Sequence, residues 1–375
     1  MIPYGRQTID NEDVRAVAEV LRSDWLTTGP AVERFEREIA EFTGARHAVA
    51  VSSGTAALHA AVHALGIGPG DEVIVPAMTF AATANAVVFE GGTPVFTDVH
   101  PDTLLLDVAE VERKITSRTK AIIPVDYAGQ PCDYDCLRAI CTRHGIALLA
   151  DACHSLGAQY KGRNAGLLAD MTAFSFHPVK HITTGEGGMV TTDDSALAEH
   201  LRRFRNHGIS TDHRQRAEVG SWYYEMEELG YNYRISDIQC ALGSSQLHKL
   251  PGWLARRRQI AAAYDAALSS CSWKPLLVRP EVCHAWHLYV VQTPAGTDRG
   301  GAFAALRAAG IGVNVHYIPV HLHPFYRRRF GTGAGLCPQT EQAYERLLSL
   351  PMYPAMRDGE VETVIAALRS LACEQ

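Results

Sequence analysis

The chain has 375 residues, 47% of them hydrophobic and 20% charged, with a formal net charge of -6. That length exceeds the roughly 250 to 300 residues at which a single core stops growing, so a large domain with a smaller one beside it is expected. The mild acidity leaves no footprint for a nucleic-acid partner, and the balanced composition excludes a disordered chain.

The start, "MIPYGRQTIDNEDVRAV", has no basic stretch followed by an apolar core, and no later run of about 18 apolar residues is long enough to span a bilayer. A cytoplasmic protein without membrane contact is expected. Nine cysteines, an odd number scattered through the chain, read as reduced thiols and not as a disulfide framework.

From residue 46 onward, short β-branched runs alternate with helical ones. "RHAVAVSS" (46 to 53) reads as a strand, "GTAALHAAVHALG" (54 to 66) as a helix, "DEVIVPA" (71 to 77) as a strand and "TFAATANAVVFEG" (79 to 91) as a helix. "TPVFTDV", "KAIIPVDY", "IALLAD" and "MTAFSF" continue the strand series, and "CDYDCLRAICTRHG" adds a helix. Several strands are apolar on both faces, as a sheet covered by helices on both sides requires. The expected core is an α/β doubly wound, mostly parallel sheet.

Residues 195 to 250 read as helical, with "DDSALAEHLRRFRNHG" ending on a glycine cap and "SDIQCALGSSQLHKL" opening on a serine cap. A basic helix, "LARRRQIAAAYDAALSS", follows Pro251 and leads into a smaller C-terminal α/β domain. The division is placed at a large domain of residues 1–250 and a small one of 251–375.

Ligands of a parallel sheet bind beyond the carboxyl ends of its strands. After the first strand, Ser53, Gly54 and Thr55 open a helix whose free N–H groups suit a phosphate, although the same turn also reads as ordinary capping. After "IALLA" comes Asp151, whose desolvation calls for a cation or a donor; bracing a neighbouring loop is the alternative. After "MTAFSF" come Ser175, His177 and Lys180. The other lysines sit in a charged helix (Lys114), before a strand (Lys120), in turns (Lys161, Lys274) or at a helix end (Lys249), so Lys180 alone follows the carboxyl end of a core strand. Phosphate cradle, buried carboxylate and lone lysine on one sheet edge suit pyridoxal 5'-phosphate (PLP), which needs an amine for its aldehyde, an acid for its ring nitrogen and a helix start for its phosphate. Phe80, just past the second strand, offers an aromatic face to such a ring or serves as plain core.

At these residues the sequence resembles the DegT/DnrJ/EryC1/StrS sugar aminotransferases, within the aspartate-aminotransferase-like fold (PLP fold type I). The resemblance runs from "SDWLTTGPAVERFEREIAEFTGA" through "VSSGTAAL", "VPAMTFAATANAV", "ADACHSLGA", "FSFHPVKHITTGEGGMV" and "GYNYRISDIQCALGSSQL" to "VHYIPVHLHPFY". It implies Lys180 as Schiff-base lysine and proton shuttle, Asp151 as partner of the ring nitrogen, Phe80 as stacking aromatic and His154 beside the ring hydroxyl. Gly54, Thr55 and Ser175 would contact the phosphate. Asn232 of "GYNYR" would reach it from a second subunit, which implies a homodimer with a shared active site.

More narrowly, "VDYAGQ", "LGYNYR" and "VHYIPVHLHP" are similar to the branch that aminates UDP-linked 4-keto-6-deoxy-N-acetylhexosamines on the pseudaminic acid pathway, with L-glutamate as donor. Cys153 stands where relatives commonly carry Ala or Ser. Within "VHYIPVHLHPFYRRRF", His316, Tyr317 and His321 are candidate contacts to the sugar nucleotide, and Arg327 to Arg329 face either a diphosphate or solvent. His321 and His323, with no carboxylate or cysteine set beside them, give no metal site, and no metal is expected. The competing readings are transfer to another keto sugar (a dTDP-linked 3- or 4-keto sugar, or a cyclitol), a family dehydratase, which would carry His where Lys180 stands, and a cofactor-binding regulator without turnover. The sequence assigns no role to His177 or His181.

Overall fold

The computed structural model describes residues 1–373 apart from 212, 213, 215, 217, 218 and 295. Its centre is a seven-stranded sheet of β1 (His47–Val51), β2 (Glu72–Pro76), β3 (Thr93–Thr97), β4 (Thr119–Ile122), β5 (Ala147–Asp151), β8 (Met171–Ser175) and β9 (Gly188–Thr192), in the order β1-β9-β8-β5-β4-β2-β3. The short hairpin strands β6 (Gln159–Tyr160) and β7 (Arg163–Asn164) stand apart from it. All pairings from β8 to β3 are parallel, and β9 alone runs against its two neighbours. The expected mostly parallel, doubly wound sheet is therefore what the chain builds.

Alternation along each strand explains the two-sided apolar runs. Val73 and Val75 of β2 point into a cluster with α3 (Gly54–Ala64), α4 (Ala81–Phe89) and α7 (Ser195–Phe204). Ile74, between them, joins Leu137 and Ile140 of α6 (Tyr134–His144) and Val111 of α5 (Val108–Lys114) on the opposite face. On β1 and β8, Ala48, Ala50 and Phe174 bury against Phe35 and Ile39 of α2 (Pro30–Thr43), which follows α1 (Asn11–Leu21).

Two helical expectations are corrected. The helix from Ser195 stops at Phe204 and does not reach Gly208. The segment 226–233 takes over its terminal carbonyls, with Tyr231 N–H donating to Phe204 O (2.8 Å) and Tyr233 N–H to Arg205 O (3.0 Å), and the chain just past the helix pairs by isolated bridges, Asn206 with Asn232 and Ile209 with Met226. Conversely, the chain does not break at Pro251: α8 (Asp237–Leu268) runs straight through it and across residue 250. Proline removes one helical hydrogen bond, but Leu247, Leu250 and Leu254 on either side bury in one cluster, and that burial offsets the loss. The expected serine cap is present, as Ser236 and Gln239 form a capping box.

The C-terminal half of α8 packs Ile260, Tyr264 and Leu268 onto an antiparallel sheet of β10 (Lys274–Pro275), β12 (Tyr289–Gln292) and β13 (Leu347–Leu350). A further strand, β11 (Val282–Cys283), pairs with β6 and completes a separate three-stranded sheet with the β6–β7 hairpin.

Two glycines of α8 set up a direct test of its packing. A Cβ on Gly243 would lie 2.6 Å from Phe35 Cζ and 2.8 Å from Thr184 Cγ2, whereas one on exposed Gly252 would meet nothing within 4 Å. Gly243→Ala is expected to lower stability by about 1–3 kcal/mol through overpacking, and Gly252→Ala to raise it by about 0.5–1 kcal/mol through helix propensity. Urea unfolding of the two variants measures both signs.

Candidate active site

The carboxyl ends of β5 and β8 and the start of α3 open onto a cavity of about 540 Å³, and Gly54, Thr55, Phe80, Asp151, His154, Ser175, Lys180, His316 and Tyr317 all line it. Each gets there by a local device. Ser53 caps α3, its Oγ accepting from Ala56 N–H at 3.0 Å, so the serine is spent on capping. The N–H groups of Gly54 and Thr55, in the first turn, have no acceptor within the helix. Gly54 is required by packing, because a Cβ there would lie 2.7 Å from Ser175 Cβ and 3.3 Å from Cys153 Sγ.

Asp151 ends β5 at 5% exposure. Its Oδ2 accepts from Thr83 Oγ1 (2.7 Å) and its Oδ1 from Cys153 N–H (3.2 Å), and Thr83 in turn bonds Thr79 Oγ1 (2.7 Å). Among the described residues no cation forms an ion pair with it. Lys180 is half-buried, in a turn closed by its own N–H on His177 O at 2.8 Å. Burial pulls its ammonium below the usual lysine range, and Cys153 and Asp151 pull it partly back. The Cys153 thiol is pushed well up by burial and by Asp151, which keeps it neutral.

His154 Nε2 stands 3.0 Å from Tyr317 Oη, with the two rings 25° from parallel, while its buried Nδ1 has no hydrogen-bond partner. Burial holds His154 far below the ordinary imidazole range. Phe80 is 59% exposed and tilted against Tyr317 at 5.8 Å, so its face is open to the cavity and it is not core. His316 is fixed by Ser349 Oγ at 2.8 Å, and burial draws its pKa down to about 4.

Other expected residues lie elsewhere. Asn232 is exposed on the 226–233 segment, outside this cavity, and bridges to Asn206. His321 is fully buried away from the cavity with Nε2 2.9 Å from Glu341 Oε1, so its imidazole is engaged in a structural pair instead of facing a substrate. Arg327 to Arg329 are exposed on the helix Pro324–Phe330. His177 is exposed at the cavity rim, whereas His181 is buried with its Nε2 3.0 Å from Ala285 O. Sequence reading missed Thr83, Tyr4, His287 and Asn314. Thr79 and Thr83, four apart at the start of α4, carried a legible spacing signal; the other three come from distant segments.

The residues fit PLP on the structure's own terms: a buried carboxylate without a cation, an amine with weakened proton affinity, a buried imidazole nitrogen without a partner, and a helix start that leaves room only for glycine.

Residues 7–369 match the model of the DegT/DnrJ/EryC1/StrS aminotransferase family, and the chain belongs to that family. It is a PLP-dependent sugar aminotransferase. It is 45% identical over 379 residues to the spore coat polysaccharide biosynthesis protein SpsC of Bacillus subtilis, covering 99% of this chain and 97% of that one. The PMP form of Spr1654 from Streptococcus pneumoniae superposes with a TM-score of 0.95 at 33% identity over 100% of both chains, and its PLP form with 0.94. Helicobacter pylori PseC, an aminotransferase involved in the biosynthesis of pseudaminic acid, superposes with a TM-score of 0.93 at 32% identity over 100% of both chains.

Burial also holds His154, His181, His284 and His287 below the ordinary imidazole pKa, His284 at about 3. With native values depressed, the unfolded chain takes up protons first. Stability is therefore complete above about pH 6.5 and falls as pH drops toward 4. Thermal unfolding across that range should show a steady loss, with a shallower slope in His284→Gln; a flat profile in the parent protein would contradict it.

Proposed function

We propose that the enzyme moves an amino group from L-glutamate to C4 of a nucleotide-linked 4-keto-6-deoxy sugar, with UDP-2-acetamido-2,6-dideoxy-hexos-4-ulose as the favoured acceptor. The observation that carries this reading is the convergence of Lys180, of Asp151 without an ion pair among the described residues, and of the Gly54 helix start on one cavity. The likeness to PseC supports the acceptor class.

Bound PLP supplies an aldehyde for the amine and an electron sink for the carbanion formed at the amino donor's Cα. Lys180 is the attachment point and then carries the proton at Cα, a task eased by its weakened proton affinity. Asp151 keeps the ring nitrogen protonated, and Thr83 and Cys153 N–H hold that carboxylate in place. Gly54, Thr55 and Ser175 take the phosphate at the positive end of α3, with Asn232 arriving from a second copy. Phe80 would supply the aromatic face for the ring, and neutral His154, oriented by Tyr317, would meet its hydroxyl. His316 and Tyr317 border the sugar. Residues 1–250 form the large cofactor domain and 251–375 the small domain that contributes these last two.

A homodimer is part of the reading. Trp222 is 84% exposed, and Met226, Leu229 and Tyr231 beside Asn232 are exposed as well, an apolar surface suited to a second copy. A cytoplasmic location is also proposed; no helix among the described residues is long and apolar enough to cross a membrane.

The purified enzyme should be yellow, lose that absorption with L-glutamate and regain it with the correct keto sugar. In a panel of UDP- and dTDP-linked 3- and 4-keto sugars, the UDP-linked 4-keto N-acetyl compound should restore colour fastest. Restoration by dTDP-linked compounds alone would overturn the nucleotide assignment, and bleaching only by donors other than glutamate would overturn the donor.

A further inference from the structure

Away from the cavity, α3, α7 and the 226–233 segment bring together His63, His200 and Glu228, each half-buried. One ligand atom from each lies within 4.8 Å of the others. His200 Nε2 is 2.7 Å from Glu228 Oε2, and His63 Nε2 is 3.9 Å from the same oxygen. The His63 ring is already oriented: it stacks on Phe204 with centroids 4.1 Å apart, and Glu90 Oε2 lies 3.1 Å from its Nδ1. A carboxylate on Nδ1 places the ring proton there and leaves the Nε2 lone pair directed at Glu228. This carboxylate–histidine arrangement is how proteins orient and strengthen a metal-ligating imidazole.

The local charge also favours a cation. Among the described residues Arg203 is the one guanidinium in ion-pair range of Glu228, at 3.6 Å, and it is shared with Glu227 (3.4 Å) and Glu199 (3.8 Å). With Glu90 included, four carboxylates face one permanent positive charge among the described residues, and Glu228 Oε1 makes no hydrogen bond.

We propose that His63 Nε2, His200 Nε2 and Glu228 form a binding site for a borderline divalent cation, zinc above all, with the fourth position left to water. Two imidazoles and one carboxylate are a nitrogen-rich set that suits zinc, nickel or cobalt and disfavours calcium or magnesium. The role is structural. The ion pins Glu228, on the segment that also carries Tyr231 and Asn232, to the last turns of α3 and α7. His59 reinforces the same joint through Glu90 Oε1 (2.7 Å) and Tyr233 Oη (2.9 Å). Ligands drawn from three separate elements leave no spacing motif, so the sequence carried no sign of the site.

The test is zinc titration of tag-free holoenzyme after chelator treatment and dialysis, followed by calorimetry, with cobalt(II) substitution read by its visible d–d absorption. A single saturable zinc site per chain is expected, with four-coordinate cobalt bands. Glu228→Gln and His200→Ala should each abolish the saturable site, and Glu90→Gln should weaken it by about 10- to 100-fold. Unchanged cofactor absorbance and circular dichroism establish that each variant is folded, and Glu228→Gln preserves shape if His200→Ala does not fold. Absence of saturable zinc binding, or binding unaltered in the folded Glu228→Gln protein, would overturn the proposal.

Discussion

A buried carboxylate that makes no ion pair among the described residues organises this molecule. Removing Asp151 from water costs several kcal/mol unless charge or donors meet it, and the fold supplies donors only, from Thr83 and from the Cys153 backbone. Both are set by architecture: Thr83 belongs to the first turn of α4, and Cys153 follows β5, which lies between β4 and β8 near the middle of the sheet. The neighbouring buried carboxylate, Asp126, is differently placed. Ser155, Tyr134 and the Cys132 N–H all donate to it, and burial pushes its pKa up to about 7. Of the two, Asp151 faces the cavity, with no ion pair among the described residues, a setting that suits a protonated ring nitrogen.

The surroundings keep other positive charge out of that setting. His154, His287 and His316 line the cavity wall, and burial holds each imidazole neutral. Arg257, a fully buried guanidinium on α8, is turned to a structural task. Its Nη1 donates to the carbonyls of Trp286 (3.0 Å), His287 (3.3 Å) and Met352 (3.0 Å), which binds the segment bearing His287 to the end of the small sheet. One helix thus packs on α2 through Gly243 and fixes the far cavity wall through Arg257.

The central sheet was legible because its strands are short, β-branched and apolar on both faces, and because each is followed by a turn or helix signal. Lys180, Asp151 and Gly54 were legible for a related reason: strand ends are predictable, and the sheet rule makes strand ends the site. Features built between distant segments were not. Segment 226–233 ends α7 by capturing its carbonyls, a contact with no local signature, so the sequence carried the helix on past Phe204. Pro251 misled in the opposite direction, since local chemistry breaks a helix there while tertiary burial holds it together. His321 looked like a ligand from its neighbours in sequence, but Glu341, twenty residues later, had already claimed it. Tyr317 reached the site as an expected residue, whereas its partner contact with His154 depends on the small sheet's placement.

The central claim is that one amine, Lys180, serves the cavity beneath which Asp151 is buried. Borohydride reduction of the holoenzyme, followed by peptide mass mapping, tests it most directly. The account predicts the reduced cofactor on the Lys180 peptide alone, and no adduct in Lys180→Ala. Cofactor attached to any other lysine, or an adduct that survives in Lys180→Ala, would contradict it.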